Sequence, residues 1–208
     1  NKLVDAIYDD DRKVIAVCKW FEESGDEPSL CYILEKLLND SPYEIFCAEG
    51  LLRYRGATAK LEEIQKWITK LARAKPIDTK LQNIRLYWSL LSPNPTKGQL
   101  EEWLAISNQH LSRTPNDLQF RITTGLAFLR NDLPVEALSI LEHTPGKAIA
   151  RPSWKLARPA WARIYAVALA RNQRTEESID LVNAVAAKSS SRAETLSLLE
   201  IFPSTLKP

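Results

Sequence analysis

Apolar residues recur every three or four positions along most of the chain, and charged residues fill the positions between them. The segment with Leu61, Ile64, Ile68 and Leu71 is the clearest case, because its remaining faces carry glutamates and lysines. This spacing places the apolar side chains on one face of an α-helix. The alternation of apolar and polar residues that marks a strand is nearly absent. The pattern therefore predicts an all-α protein.

Capping residues and prolines divide this pattern into short helices. A threonine followed three residues later by a glutamine, as at Thr79 with Gln82 and at Thr96 with Gln99, is typical of a helix start. Most predicted connections are short, which places neighbouring helices in antiparallel hairpins. Together with the apolar spacing, these signals predict helices at 2–8, 10–24, 28–39, 42–55, 58–74, 79–92, 97–113, 116–130, 133–143, 158–171, 174–187 and 192–201.

Three segments of the chain are similar to one another: LLRYRGATAKLEEI, FLRNDLPVEALSIL and LARNQRTEESIDLV. Each runs from the end of one predicted helix, through a turn that contains an arginine, into the next helix. The turn arginines are Arg55, Arg130 and Arg171. Their spacing indicates a repeated helical hairpin of about 35 to 45 residues, a length typical of stacked helical repeats.

The segment 116–145 carries a small residue, Gly125, an aromatic residue three positions later, Phe128, and an alanine in the next helix, Ala137. Small residues let two helix backbones approach, and the aromatic ring fills the groove beside them. This pattern resembles the tetratricopeptide repeat. Ala166, Leu169 and Ser178 form a looser copy of this pattern. The segment Thr114-Pro115-Asn116-Asp117 is similar to the proline-containing junction between repeats of that family. The resemblance implies a right-handed α-solenoid of antiparallel helical hairpins.

On this basis we expect a single helical-repeat domain over 1–208. It divides into divergent acidic hairpins at 1–78, hairpins similar to tetratricopeptide repeats at 79–187, and a capping helix with a tail at 188–208. A more general helical repeat stays open for the N-terminal part, and assembled four-helix bundles are the structural alternative. Because the chain lacks an initiator Met and opens within helical apolar spacing, we expect it to be part of a longer protein.

The three cysteines, Cys18, Cys31 and Cys47, form no CxxC pair. This favours buried thiols over a disulfide framework or a zinc site. No apolar run approaches the roughly 20 residues needed to cross a bilayer, so no membrane span is expected. The localisation stays open, with a slight preference for the cytoplasm.

Charge is distributed unevenly along the chain. Residues 1–49 hold 12 acidic and 5 basic side chains, and the remainder holds 14 acidic and 23 basic ones. The segment 143–175 contains no acidic residue, and its cations are Lys147, Arg151, Lys155, Arg158, Arg163, Arg171 and Arg174. This segment is either a surface for an acidic peptide, a phosphate or a nucleic-acid backbone, or a solvated basic face offset by the acidic N-terminal part.

Motifs that carry catalysis or bind cofactors are missing from the sequence. The two histidines, His110 and His143, belong to no HExxH motif or cysteine cluster, and no glycine-rich phosphate loop or nucleophile elbow occurs. The sequence therefore predicts a protein that is not an enzyme and that holds no cofactor or metal.

The resemblance implies a non-enzymatic scaffold that binds a partner segment in a concave groove lined by the first helix of each hairpin. The partner would be another protein, or the rest of the parent chain, and would present an acidic, partly apolar segment. Binding of nucleic acid or another polyanion through the basic segment 147–174 is the alternative, and a purely structural spacer is a third hypothesis. The residues expected to face the groove are Ile122, Leu126, Arg130, Arg163, Val167 and Arg171.

Overall fold

The computed structural model describes residues 11–39, 42–142, 159–185, 198 and 200–202 of the 208-residue chain. Within these residues the regular structure is entirely helical, which confirms the predicted all-α class. The first predicted helix, at 2–8, lies outside the described residues, and the last, at 192–201, lies largely outside them.

Ten helices are described, and each boundary lies within three residues of its predicted position. They are α1 (Asp11–Ser24), α2 (Glu27–Leu37), α3 (Glu44–Arg55), α4 (Leu61–Ala74), α5 (Thr79–Leu90), α6 (Lys97–Arg113), α7 (Leu118–Arg130), α8 (Pro134–Glu142), α9 (Pro159–Arg171) and α10 (Thr175–Val185).

Helix starts show where local sequence signals succeed and where they fail. At α6 the predicted capping box is present, since the Gln99 N–H donates to Thr96 Oγ1 at 3.2 Å and the Thr96 N–H donates to Gln99 Oε1 at 2.8 Å. At α5 the cap is instead Asp78, whose Oδ1 accepts from the Leu81 N–H at 3.0 Å. The predicted box of Thr79 with Gln82 is therefore wrong, because an aspartate one residue earlier takes the capping position.

Consecutive helices contact one another from α1 through α10. Antiparallel packing is visible in the hydrogen bonds between α6 and α7. Thr124 Oγ1 donates to the Ser107 carbonyl at 3.2 Å, and Asn131 Nδ2, just beyond α7, donates to the Leu100 carbonyl near the start of α6 at 3.0 Å. Helix α7 also contacts α5 and α9, so it is surrounded by four neighbours.

Two hydrophobic cores lie along the described chain. The N-terminal core is built from α1 to α4 and includes Val14, Leu34, Leu51 and Trp67. The C-terminal core runs from Leu86 on α5 to Phe202 and includes residues of α7, α8 and α9. Leu61 and Trp88 are partly buried and pack against both cores, so α4 and α5 form the junction between them.

Candidate functional site

The apolar residues predicted to line a groove lie in the core. Ile122, Leu126 and Val167 are at most 1% exposed and belong to the C-terminal core. The expectation that these three side chains face a partner is wrong for this structure. Each contributes instead to the C-terminal core.

The reason is the central position of α7. Every residue from Phe120 to Ala127 is buried, including Arg121, Thr123 and Thr124. A helix with four neighbours has no face left for a groove. The sequence carried a signal of this burial, because LQFRITTGLAFLR contains only two charges and no continuous polar stripe.

The predicted arginines lie nearer the surface, but Arg130 and Arg171 donate to acceptors within the chain. Arg130, at the end of α7, is partly buried and its Nη2 donates to the Ser92 carbonyl at 3.0 Å. Burial lowers the pKa of Arg130. Arg171, at the end of α9, forms an ion pair with Asp132. Arg163 is half-buried on the same helix.

The basic segment is only partly described. Lys147, Arg151, Lys155 and Arg158 lie outside the described residues. Arg174, by contrast, is bound by two carboxylates.

Arg174 Nε donates to Glu177 Oε1 at 2.7 Å, and Nη1 donates to Glu142 Oε1 at 2.5 Å. The Glu177 and Glu142 carboxylates raise the pKa of Arg174. Tyr165 Oη donates to the same Glu142 carboxylate at 2.8 Å, and burial followed by this hydrogen bond raises the pKa of Tyr165. Arg171 and Arg174 are therefore both neutralised by carboxylates within the chain.

A cleft that the sequence did not predict lies between α1 and α3, with α2 beneath it. We call it the N-terminal cleft, and its volume is about 170 Å³. Its apolar lining residues are Ile15, Cys18, Leu30, Leu34 and Phe46. Leu30, Leu34 and Cys18 are buried, whereas Ile15 and Phe46 are 48% and 41% exposed. Ile15 and Phe46 therefore present apolar surface to solvent beside the exposed charged residues of the same cleft.

The close approach of α2 and α3 shapes the floor of this cleft. A Cβ at Gly50 would lie 2.7 Å from a methyl group of Leu34, which is closer than two carbon atoms tolerate. Glycine at this position therefore lets the two helices meet. Leu34 lines the cleft at this point and is 1% exposed.

Charged groups bridge the two walls of the N-terminal cleft. Glu22 on α1 accepts hydrogen bonds from Tyr54 Oη and, at 3.5 Å, from Arg53 Nη1, both on α3. The hydrogen bond to Glu22 raises the pKa of Tyr54. Glu49, also on α3, accepts from Lys75 Nζ at 2.9 Å. Burial, aided by the charge of Glu22, raises the pKa of Cys18 at the floor to about 11, so this thiol is not an activated nucleophile.

A second depression lies on α2 and the turn after α3. It encloses about 460 Å³ and is lined by Glu27, Pro28, Cys31, Tyr32, Glu35, Arg55 and Thr58. Burial and the charge of Glu27 raise the pKa of Cys31. Across the described ranges, no group of three or more histidine, cysteine or acidic side chains is arranged to hold a metal ion.

The N-terminal cleft was not predicted from the sequence, because the resemblance that guided the prediction lies in the C-terminal hairpins. A signal was present in α3, where Ile45 and Phe46 precede Cys47 and Ala48. The last two face the core and are fully buried, so the first two extend the apolar surface beyond the core-facing stripe.

Comparison of the chain with protein-family models, with curated proteins and with solved structures gives no match. Across the described residues, the structure defines an all-α protein built from consecutively packed helices. None of the described helices combines the length and apolar character that crossing a membrane requires.

Proposed function

We propose that the protein is a non-enzymatic scaffold of stacked helical hairpins, similar to tetratricopeptide repeats, that binds a segment of a partner protein. The observation that carries this proposal is the repetition of one inter-helical turn. Asn131 and Asn172 each donate through Nδ2 to the carbonyl four residues earlier, at 2.8 and 2.7 Å. Each also donates to a preceding helix, Asn131 to Leu100 and Asn172 to Pro134.

An arginine at the end of one helix also binds a residue just beyond the end of the helix two earlier in the chain. Arg130, at the end of α7, binds the Ser92 carbonyl just beyond α5. Arg171, at the end of α9, binds Asp132 just beyond α7. These contacts support a parallel stack of first helices, α5, α7 and α9. A stack of hairpins offers its partner an extended surface and can lengthen without a new core.

Polyanion binding is supported less well by the described residues. Arg171 and Arg174 both have carboxylate partners within the chain. A phosphate backbone would have to displace those carboxylates. The solvated, internally paired face is therefore the interpretation we favour for this part of the basic segment.

Capture from a lysate of the parent organism tests the proposal. The 208-residue protein is immobilised, and the lysate is applied with and without nuclease at about 50 and 500 mM salt. We expect a protein partner that survives nuclease and is weakened only modestly by salt, because apolar anchors respond little to ionic strength. If the immobilised protein retains only nucleic acid, and this binding weakens steeply with salt, the result would contradict the scaffold proposal and favour polyanion binding.

Replacing Arg130, Arg163 and Arg171 by alanine tests whether the predicted cationic face takes part. The three single variants are made first, because Arg130 and Arg171 bind groups within the chain. Only variants with unchanged helical content and unfolding midpoint are compared for affinity. A loss of affinity in Arg163→Ala or Arg171→Ala with the fold intact would assign this face to the partner.

A further inference from the structure

Helix α9 is buried on more sides than its neighbouring helices account for. From Trp161 to Leu169 every residue is at most 8% exposed, apart from the half-buried Arg163. The equally buried α7 has four neighbours, whereas α9 packs against three of the described helices, α7, α8 and α10. Because the side chains of a helix point in all directions around its axis, the uncovered side of α9 would be exposed. Other residues of the chain therefore cover that side.

A helical turn near the end of the chain contributes apolar side chains to the same core. Leu198 and Phe202 are 0% and 4% exposed, and they are the described residues of the C-terminal core that lie beyond α10. The Phe202 N–H donates to the Leu198 carbonyl at 2.9 Å, which is the hydrogen bond of one α-helical turn. Ile201 is partly buried against the core, whereas Glu200 is exposed. The turn therefore presents one apolar face, with residues at positions i, i+3 and i+4.

This turn is held by far fewer buried side chains than a helix of the stack. Two of its residues are buried in the core, compared with eight residues of α9 between Trp161 and Leu169. Elements with few buried apolar contacts open at a lower free energy than the whole protein. The turn is therefore the part of the C-terminal core that leaves most readily.

We propose that the turn at 198–202 is an internal strap, which occupies an interaction surface on α9 at the C-terminal end of the stack. The partner that fits this surface is an amphipathic helix with a leucine and a phenylalanine four residues apart, because the strap is itself an example of what the surface accepts. That helix binds only when the strap has left, so the strap lowers the apparent affinity for the partner. This inference rests on the proposed scaffold function and names the chemistry of one partner.

A synthetic peptide of residues 192–205, with blocked ends and a fluorescent label, serves as the probe. It is titrated into the 208-residue protein and into a released variant that combines Leu198→Asp with Phe202→Asp, because burial of an aspartate carboxylate is costly. We expect the released variant to bind the peptide at least about tenfold more tightly than the wild type, in which the tethered strap competes at a high effective concentration. The same peptide with aspartates at 198 and 202 is the control ligand and should bind neither protein.

Two further measurements locate the contact. Glu200→Ala is the matched control variant, because Glu200 lies on the same turn and is exposed, and it should bind the peptide as weakly as the wild type does. In the isotopically labelled released variant, the peptide should shift the backbone amides of α9, including that of Val167.

Equal affinity of the wild type and the released variant for the peptide would overturn the strap. Absence of binding by a released variant that keeps its helical content would do the same. If the aspartate pair does not fold, Leu198→Ala with Phe202→Ala takes its place. Failure of this second variant to fold would also overturn the proposal, because the turn would then be an indispensable part of the core. Such a failure is distinct from a failure of the scaffold, because a partner captured from lysate by the wild type would still support a scaffold that binds through another surface.

Discussion

Asp132 and Gln173 adopt the same left-handed backbone conformation, with φ of 60° and 64°, at equivalent positions after α7 and α9. The N–H of each donates to the carbonyl three residues earlier, at 3.2 and 3.1 Å. The N–H of the following residue, Leu133 or Arg174, reaches back five residues at 3.0 Å. This pattern satisfies the last carbonyls of a helix and reverses the chain. After α1 the same position is Gly25, with φ of 71°.

Replacing Gln173 by glycine should stabilise the protein. A side chain in this conformation costs about 1–2 kcal/mol, and the greater freedom of glycine in the unfolded chain returns part of that, leaving a gain of about 0.5–1 kcal/mol. Urea denaturation followed by circular dichroism measures the change. Gly25→Ala is the converse variant and should lose about 1 kcal/mol. A destabilised Gln173→Gly protein would contradict the assigned conformation.

Replacing Gly125 by alanine should destabilise the packing of α7 on α8. The new Cβ would lie 2.9 Å from Leu141 Cγ, and both residues are buried. Overpacking costs about 1–3 kcal/mol, which the roughly 1 kcal/mol gain in helix propensity offsets only in part. In a Leu141→Ala background the same change should become neutral or stabilising. Gly98→Ala is the control, because nothing lies within 4 Å of its Cβ position.

His110 should make the protein sensitive to mild acid. The ring is 9% exposed and packs edge-on against Phe120 with centroids 5.8 Å apart. Burial, with a smaller effect of Arg113, lowers the pKa of His110 below the ordinary value of 6.5. The unfolded chain therefore takes up the proton first, so stability is intact above pH 6.5 and falls as pH decreases through that value. His110→Gln should reduce the change in the unfolding midpoint between pH 7 and pH 5. A pH dependence equal to that of the wild type would contradict the prediction.

Arg130 should matter more to stability than Arg171. The Arg130 guanidinium is partly buried and binds a backbone carbonyl, so Arg130→Ala leaves an unsatisfied acceptor and is expected to cost about 1–3 kcal/mol. Arg171 pairs with an aspartate whose side chain is 83% exposed. Surface pairs of this kind contribute about 0–1 kcal/mol. Thermal unfolding of the two alanine variants gives the comparison, and equal losses would count against it.

The sequence predicted helices well because their determinants are local. Apolar spacing and the Thr96 capping box place both ends of α6, and an aspartate at 78 rather than a threonine at 79 accounts for the wrong cap at α5. Gln82, assigned to that cap, instead donates through Nε2 to the Ala72 carbonyl at 2.8 Å and ties α4 to α5.

Contacts between helices were harder to predict, because periodicity states which face is apolar and not which helix covers it. The Cβ position of Gly125 faces Leu141, one turn further along α8 than Ala137, and the spacing of apolar residues does not specify this partner. The same limit explains the candidate site. Ile122 and Leu126 follow the pattern of a groove-lining face, but the number of helices around α7 is a property of the assembled chain.

The junction between the two cores has a consequence for how the protein unfolds. Gln65 Nε2 on α4 donates to the Trp88 carbonyl at 2.6 Å and to Ser92 Oγ at 2.9 Å, beside the residues that both cores share. Chains whose helices contact only the next one or two helices along the sequence open in segments, each with its own free energy. The amides of α1 to α3 and those of α7 to α9 should therefore exchange with solvent as two separate cooperative groups. Gln65→Ala should increase the difference in hydrogen-exchange protection between the two groups of amides, because it removes the hydrogen bonds that link α4 to α5 and the turn after it.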